Sequence, residues 1–435
     1  MMRKQLWCSA AVGFLAAALL AGCGQDTDTT APAVNKTEKT NPVSVTQVKE
    51  PEAVSAEDFE SRSQVRENNP VSAEFVGAAQ AFSYDSAARL LAEGTKNRNY
   101  SPLSLYYALA LAAQGAEGKT EEEMLAVLGM KDKAELAAQC GNLYRLLYRS
   151  HEYSRLKLAN SLWTQQGLAF KDGFLGTAQD DFYASVFPVD FAGPEAGIAM
   201  GQWISQNTGG ILSPQMETSP RDVLVIINTV YFNGQWINRF EESSNTEGSF
   251  TTADNEEIKC EYMHLKNASQ TYYEGDGYSG TELWMKDNGS LMLILPDEGV
   301  EIGALIRQQG KLEEMFSRRD GQGGLMDLSL PKFRFGDSLE LADMLRDMGV
   351  KEAFEEQADF SAMSDEPAFI SRIKQETHIG INEDGVEAAA YTEIAMAGAG
   401  LPEGRHVLDF NRPFLFGIIS DQGIPLFLGV CNNPQ

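Results

Sequence analysis

The spacing of apolar residues changes once along residues 71–435, from helical spacing in the first third to short strand-like runs in the rest. Apolar residues recur at helical intervals after Pro70 and again after Pro102. No linker rich in Pro, Ser and Gly divides this stretch, and no fixed-period repeat occurs in it. The pattern predicts one large α+β domain. The strand signals, each bounded by Gly, Pro, Asn or Asp, are VLVIINTVYF, LMLILPD, LMDLSLPKFRF, FLFGIIS and PLFLGVC.

Two further helices are predicted from their ends. Thr120 and Glu123 have capping-box spacing at the start of TEEEMLAVLG, which Gly129 ends. The run SLELADMLRDMG predicts another helix, closed by Gly349.

The N-terminal sequence has the pattern of a targeting signal. Arg3 and Lys4 precede an apolar run from Leu6 to Leu20 that is shorter than the roughly 20 residues of a membrane span. The string that ends it, Leu20-Ala21-Gly22-Cys23, resembles the lipobox of bacterial lipoproteins. The resemblance implies removal of residues 1–22, lipidation of Cys23 and an extracytoplasmic, membrane-anchored protein at the cell surface or in the periplasm. A plain secretory signal is the alternative.

Residues 23–70 form the next segment. The stretch from Gly24 to about Asn69 is rich in Thr, Asp, Glu and Lys, and it shows neither helical nor strand periodicity. This composition predicts a disordered tether between the lipidated cysteine and the domain of residues 71–435.

The charge balance excludes one class of partner. Asp and Glu number 62 against 35 Lys and Arg, which gives a net charge of −27 at pH 7. Such a surface repels polyanions, so nucleic acid is not an expected partner. Hydrophobic residues make up 43% of the chain, enough to build a large core.

Motifs for catalysis or metal binding are absent from the sequence. His151 is not part of an HExxH motif, and Gly277–Gly280 is only a distant match to a nucleophile elbow. No CxxC pair occurs, and three cysteines remain beyond Cys23. We therefore expect no enzyme, no metal and no cofactor. The sequence does not decide whether one disulfide forms among the three, which are Cys140, Cys260 and Cys431.

A run of small residues near the C-terminus needs an explanation. Residues 385–400, GVEAAAYTEIAMAGAG, contain nine Gly or Ala in sixteen positions, which suits neither a strand nor a surface helix. They follow an alternating strand that spans Ile373 to Ile381. A structureless loop of this length inside a compact domain is usually functional.

The segment NEDGVEAAAYT, residues 382–392, resembles the hinge of the serpin family of serine protease inhibitors. Serpins present a reactive loop and insert it into a central sheet after cleavage. Further family motifs occur in family order over essentially all of residues 71–435, most of them before the hinge. They are NYSPLSLYYALALAAQGAEGKT, ANSLW, QWISQNTGGIL, LVIINTVYFNGQW, LSLPKFRF and FNRPFLFGI.

The resemblance implies an α+β serpin fold of about nine helices and three sheets, with an exposed reactive-centre loop. It implies a metastable monomer that inhibits serine endopeptidases as a suicide substrate and has no catalytic residues of its own. The partner is then a target serine protease, held as a covalent acyl-enzyme. Insertion favours small side chains, because the loop must pass between neighbouring strands and pair on both sides.

The two-residue strand period tests the hinge pattern. Of the hinge residues, those turned inward on insertion are small or apolar, as inhibitory members require. Val386 stands where Thr or Ser is usual, and Tyr391, on the outward face, where Ala is usual. The inward residues are Val386, Ala388, Ala390 and Thr392, and the outward ones are Glu387, Tyr391 and Glu393; Glu383, Gly385 and Ala389 complete the hinge.

Counting from Gly385 as in inhibitory members places the scissile bond at Ala399-Gly400. A small residue before the cut suits elastase-like or subtilisin-like proteases. No Arg or Lys lies between Gly385 and Gly404, which disfavours trypsin-like targets. A shift to Met396 would favour chymotrypsin-like ones.

Other family positions carry over individually. Ser101, Ser104 and Asn228 match the shutter beneath the central sheet, where the family's His is replaced by Gln375, and Trp236 matches the breach at the top of the sheet. Lys332 could pair with Glu383 at the base of the loop. The alternative to these functional roles is a purely structural one: the two serines would only begin a helix, and Trp236 would be an ordinary core residue.

The resemblance leaves rival functions to weigh. The main alternative is a non-inhibitory serpin that acts as a binding or structural protein at the cell surface. Gln375 and Tyr391 favour it. A solute-binding lipoprotein would need two α/β lobes with repeated βαβ units, and a hydrolase would need a nucleophile motif. A heparin-type site is not expected, because few basic residues lie in the helical region concerned: Arg145, Arg149, Arg155 and Lys157.

Overall fold

Helices dominate the first third of the domain, as the apolar spacing predicts. The computed structural model describes residue 48 and residues 50–287, 289–317, 321–387 and 405–435, and these belong to one compact unit. Within them, two short 3₁₀ helices, Glu242–Ser244 and Glu352–Phe354, accompany the α-helices. The α-helices are α1 (Phe59–Asn68), α2 (Ala73–Leu91), α3 (Pro102–Gly115), α4 (Gly118–Val127), α5 (Lys133–Leu147), α6 (Asp172–Asp180), α7 (Pro194–Asn207), α8 (Ile302–Ile306), α9 (Lys311–Phe316) and α10 (Ala342–Met348).

Helix α3 lies in the centre of the core. Every one of its residues is buried, and Pro102 occupies its first turn, where a missing backbone N–H costs nothing. Tyr106 of α3 packs edge-to-face against Phe75 and Phe82 of α2, with ring centroids 5.7 and 5.3 Å apart. The N-terminal end of α3 is thereby fixed beneath the sheets.

The strands begin where the sequence changes its period. The predicted strand runs correspond to β5, β9, β10 with β11, β15 and β16. The full set is β1 (Arg98–Tyr100), β2 (Arg149–Ser150), β3 (Ser154–Gln165), β4 (Ala184–Val189), β5 (Leu224–Gln235), β6 (Thr246–Thr251), β7 (Glu257–Gly275), β8 (Tyr278–Trp284), β9 (Ser290–Pro296), β10 (Gln322–Pro331), β11 (Phe333–Glu340), β12 (Ile370–Ile381), β13 (Gly385–Val386), β14 (Arg405–Asp409), β15 (Phe414–Ile419) and β16 (Pro425–Cys431).

These strands form two hydrogen-bonded sheets. The seven-stranded sheet has the order β11-β12-β13-β5-β3-β2, with β4 paired to β3. The nine-stranded sheet has the order β1-β16-β15-β9-β8-β7-β10-β14, with β6 paired to β7. Its 19-residue strand β7 pairs with β6 and β10 first and with β8 only at its end. This long strand joins two parts of one sheet, where the family resemblance implies separate sheets; the predicted α+β class is confirmed.

For residues 59–68 the structure corrects the prediction of a disordered tether. Residues 59–68 form α1, which Asp58 caps by accepting a hydrogen bond from Ser61 N at 3.0 Å. None of the residues of α1 is buried, so the helix has no apolar stripe that sequence periodicity could detect. Residues 1–47, which include Cys23 and the signal segment, lie outside the described residues.

Two predicted helix starts are wrong. Helix α4 begins at Gly118, and Glu123 accepts hydrogen bonds from Lys351 N and Glu352 N instead of closing a capping box with Thr120. Strand β11 extends through Glu340 because it pairs with β12, so α10 begins only at Ala342.

The basic residues considered for a polyanion site do not share a helix. Arg145 lies in α5, while Arg149 is in β2 and Arg155 and Lys157 are in β3. Arg145 donates to Asn69 Oδ1 at 2.7 Å, and Lys157 pairs with Glu50. The four residues do not form one basic helix face, because α5 ends at Leu147 and the last three lie beyond it.

The three cysteines for which the sequence did not decide on a disulfide are free thiols. Cys140 and Cys431 are buried and Cys260 is half-buried. Burial raises the pKa of Cys140 and of Cys431 well above the usual value, so both remain protonated and unreactive at neutral pH. In the part of the chain that the structure describes, no helix has the length and apolarity that crossing a membrane requires.

Candidate functional site

The seven-stranded sheet divides where β12 and β5 stop pairing. These strands run parallel from Ile370 opposite Leu224 to Gln375 opposite Asn228. Beyond that point β13 lies between them, with Gly385 opposite Gln235 and Val386 opposite both Gly234 and Ile381. The hinge residues Gly385 and Val386 are therefore already strand residues of the sheet, and the gap below them ends at the Gln375–Asn228 pair.

Gln375 closes this gap from beneath through the start of α3. Its Oε1 accepts from Ser101 N at 2.8 Å and its Nε2 donates to Ser101 O at 2.9 Å. The Ser101 hydroxyl donates to Leu426 O of β16 at 2.7 Å and does not cap the helix. Gln375 thus uses both ends of its amide, and the polar contact expected at the family's His position is present.

A second buried chain of polar groups crosses to β3. Ser104 Oγ donates to Asn228 Oδ1, and Asn228 Nδ2 donates to Asn160 Oδ1. Asn160 Nδ2 then donates to Phe182 O at 2.7 Å. All three side chains are buried, so each depends on the others for hydrogen bonding. Motif comparison missed Asn160, although an amide inside the apolar strand ANSLW is a signal that a buried partner is needed.

Trp236 holds the other end of the gap. Its indole Nε1 donates to Asn382 O at 2.9 Å, and its backbone N–H donates to Asp384 O at 3.0 Å. Trp236 is 1% exposed and forms an isolated bridge with Met285. It is a core residue by burial, and its hydrogen bonds fix the turn from which the loop leaves.

The predicted contact between Lys332 and Glu383 is confirmed, with Nζ and Oε1 3.0 Å apart. Glu383 also accepts from Asn245 Nδ2. Burial alone would raise the pKa of Glu383, but the hydrogen bonds from Asn245 and Lys332 outweigh it and lower that pKa. The same carboxylate raises the pKa of Lys332 against its own burial. The base of the loop is thus fixed by a charged pair at neutral pH.

The structure describes two residues of the predicted alternation, Val386 and Glu387. Val386 is 1% exposed. Glu387 lies 3.1 Å from His378, to which Arg334 Nε donates a hydrogen bond at 3.0 Å, on the face of β12 opposite the buried Ile379. The Glu387 side chain is only 8% exposed, and the motifs did not indicate His378 as its neighbour. The remaining hinge and scissile positions lie outside the described residues: Ala388, Ala389, Ala390, Tyr391, Thr392, Glu393, Met396, Ala399 and Gly400.

Gly385 fits its place because it lacks a side chain. A Cβ there would lie 1.9 Å from Gly234 O and 2.9 Å from Gln235 Cα. Only glycine can occupy position 385, where β13 approaches the backbone of β5 this closely.

A sheet whose central pairing stops at a buried polar cluster, with the base of a long loop in the gap above, is the architecture of a serpin. The family model described as "Serpin (serine protease inhibitor)" matches residues 77–434. The chain belongs to the serpin family, whose members are generally serine protease inhibitors.

The sequence and structure of known proteins agree with this assignment. An uncharacterized serpin-like protein of Thermococcus kodakarensis is 33% identical over 375 residues, covering 83% of this chain and 86% of that protein. A serine protease inhibitor of the mouse, Mus musculus, is 30% identical over 350 residues, covering 77% of this chain and 82% of that protein. The native structure of tengpin, a thermophilic serpin, superposes with a TM-score of 0.77 at 27% identity, covering 84% of this chain and 95% of tengpin.

Proposed function

We propose that this chain is a membrane-anchored inhibitor of serine proteases that traps its target by inserting the cleaved loop into the seven-stranded sheet. The observation that carries the proposal is the position of Gly385 and Val386 between β12 and β5. A loop whose first two residues already pair in the gap can extend as a new strand by continuing in the same direction. The gap ends at the pair Gln375–Asn228, so insertion must open that pair.

The trapping reaction uses the protease's own chemistry. The target's serine oxygen attacks the carbonyl carbon of Ala399, the bond to Gly400 breaks, and the amine of Gly400 leaves with a proton. The ester that remains joins the protease to Ala399. Residues 387–399 then enter the gap and carry the bound protease to the far end of the sheet before water hydrolyses the ester. The inhibitor supplies no catalytic group.

Hydrogen bonding can drive this movement. A new central strand gains ladder bonds to both neighbours, each contributing about 0.5 to 1.5 kcal/mol net. A dozen such bonds supply on the order of 10 kcal/mol, comparable to the whole stability of a domain. Insertion must also break the β12–β5 pairing from Ile370 to Gln375 and the polar contacts of Gln375 and Asn228, which offsets part of this gain.

The target class follows from the residue before the cut. The methyl group of Ala399 suits the shallow pocket of elastase-like or subtilisin-like proteases and gives no anchor for trypsin-like ones. We expect Ala399→Arg to transfer covalent inhibition to a trypsin-like protease and to weaken it at least tenfold toward an elastase-like protease. Met396→Arg is the matched variant. If it switches specificity and Ala399→Arg does not, the scissile bond lies at Met396.

The anchor is part of the same proposal. A lipidated Cys23 followed by residues 24–49 would hold the inhibitor at the cell surface or in the periplasm. We expect radiolabelled palmitate to be incorporated by the wild-type protein in a bacterial host and not by Cys23→Ser. Label in both proteins would contradict lipidation at this cysteine.

A non-inhibitory serpin is the second candidate. Replacement of the shutter His by Gln375 favoured it, but Gln375 keeps both hydrogen bonds to Ser101, so this support is weakened. Tyr391 remains as its only other support. A non-inhibitory protein would be cleaved in its loop without retaining the protease.

A further inference from the structure

The segment that precedes the serpin core lies against it at several points. Glu50 accepts a hydrogen bond from the Tyr148 hydroxyl at 2.8 Å and pairs with Lys157. At the other end of the segment, Asn69 accepts from Arg145 Nε at 2.7 Å. Residues 50–69, which we call the N-terminal segment, are therefore bound to α5 and β3.

Arg62 of α1 reaches a carboxylate that is almost fully buried. Asp287 lies in the turn between β8 and β9 with 2% of its side chain exposed. Its Oδ1 is 2.5 Å from Arg62 Nη2, and its Oδ2 is 3.1 Å from Arg149 Nε and 2.5 Å from His151 Nε2. We call these four side chains the Asp287 cluster. A buried carboxylate that loses one cation is left poorly compensated, which is costly.

The hydrogen-bond roles within the cluster are fixed. Tyr153 N donates to His151 Nδ1 at 3.3 Å, so His151 Nε2 carries the hydrogen that it donates to Asp287. Burial raises the pKa of Asp287, but the hydrogen bond from His151 and the charges of Arg149 and Arg62 outweigh it and keep that pKa below its usual range. The carboxylate is ionised at neutral pH and attracts all its partners.

The Asp287 cluster joins the two sheets next to the hinge. Asp287 follows β8 of the nine-stranded sheet, whereas Arg149 and His151 lie at the β2–β3 hairpin of the seven-stranded sheet. Beside the cluster, Gln235 N donates to Tyr153 O at 3.1 Å and Lys286 N donates to Gln235 O at 2.9 Å. Gln235 is the strand residue opposite Gly385. The cluster therefore borders the place where the loop meets the sheet.

Opening the gap moves one side of the seven-stranded sheet. For β5 to separate from β12 it must carry β3 and β2, to which it is hydrogen-bonded, away from β12. The β8–β9 turn belongs to the other sheet, and it holds the moving strands both through the Asp287 cluster and through the hydrogen bond from Lys286 N to Gln235 O. An ion cluster that spans both sheets resists the shift, and Arg62 strengthens it from outside.

We propose that the N-terminal segment, through Arg62, closes a clamp at Asp287 that restrains opening of the seven-stranded sheet and so controls loop insertion. The inference rests on the proposed function, because the sheet must open for trapping. Release of the segment, by proteolysis or by a partner that binds α1, would make the gap easier to open.

The test compares Arg62→Ala with Arg66→Ala in the full-length protein. Arg66 lies on the same helix and is exposed outside the cluster, so it controls for loss of charge and helix propensity. Amide hydrogen exchange, measured without any protease, reports on Gly234–Trp236 and Gly385–Val386. We expect these amides to exchange about tenfold faster or more in Arg62→Ala and at the wild-type rate in Arg66→Ala. Arg62→Lys, which keeps the charge, should recover part of the protection.

Either of two results would overturn the clamp. In the first, the amides of α1 exchange faster in Arg62→Ala, which shows that the segment is released, while Gly234–Trp236 are unchanged. In the second, neither region changes. Because the readout needs no protease, faster exchange combined with failure to trap any protease would refute the proposed function and leave the clamp standing.

Discussion

Replacing Ala390 with Arg is expected to turn the protein from an inhibitor into a substrate of its target protease. Val386 is buried between β12 and β5. Ala390 is four residues further along and therefore lies on the same face of a strand, so we expect the side chain at position 390 to point into the core when the loop inserts. Burying a guanidinium without a partner costs several kcal/mol. If about 3 kcal/mol of this appears in the insertion barrier, insertion slows more than 100-fold, and hydrolysis of the acyl-enzyme then occurs first.

The measurement is the number of inhibitor molecules consumed per protease molecule inactivated. For Ala390→Arg we expect this ratio to rise more than tenfold, while the loop is still cleaved at the wild-type rate. Tyr391→Arg is the matched control, because its side chain faces outward after insertion and should leave the ratio within about twofold. Equal ratios for the two variants would mean that the loop does not insert as a strand in this register.

Removing the Gln375 side chain is expected to destabilise the form with the loop outside the sheet by about 3 kcal/mol. Both atoms of the Gln375 amide bond the backbone of Ser101, and Ser101 and Gln375 are 1% and 3% exposed. In Gln375→Ala the buried Ser101 N–H loses its partner, Ser101 O keeps only the hydrogen bond from Leu105 N at 3.3 Å, and a cavity replaces the amide. The first unfolding transition in urea, followed by circular dichroism, measures the loss.

Lys374→Ala is the control for this substitution. Its side chain lies on the other face of β12 and pairs with Glu376 at 2.8 Å, so we expect a cost below about 1 kcal/mol. Gln375→His, which restores the family's usual residue, should fall between the two because imidazole keeps one of the hydrogen bonds. A Gln375→Ala protein within about 0.5 kcal/mol of wild type would show that Ser101 finds other partners and that this pair does not hold the gap closed.

Most of the fold could be predicted because local sequence and tertiary packing agree. The strand over Ile373–Ile381 alternates apolar and polar residues, and the structure buries one face of it as that period requires. Ser101, Ser104, Asn228 and Gln375 were identified by family motifs, and the structure brings all four to the end of the β12–β5 pairing.

What the sequence missed depends on contacts between distant residues. Helix α1 has no buried side chain and is held by Arg62 against Asp287, a pairing that no local pattern reveals. Glu123 has the spacing of a helix cap, but it accepts hydrogen bonds from Lys351 and Glu352, which the fold brings next to it. Glu340 lies in a strand instead of a helix because β12 pairs with it.

The central claim is that the protein retains its target protease as a trapped acyl-enzyme. The most direct measurement mixes the full-length protein, with the N-terminal segment intact, with an elastase-like and a subtilisin-like serine protease. Denatured samples are then analysed by gel electrophoresis and mass spectrometry. We predict a covalent species at the summed mass, less a C-terminal fragment that begins at Gly400. Complete cleavage within the loop, with all of the protease released in active form, would contradict the account.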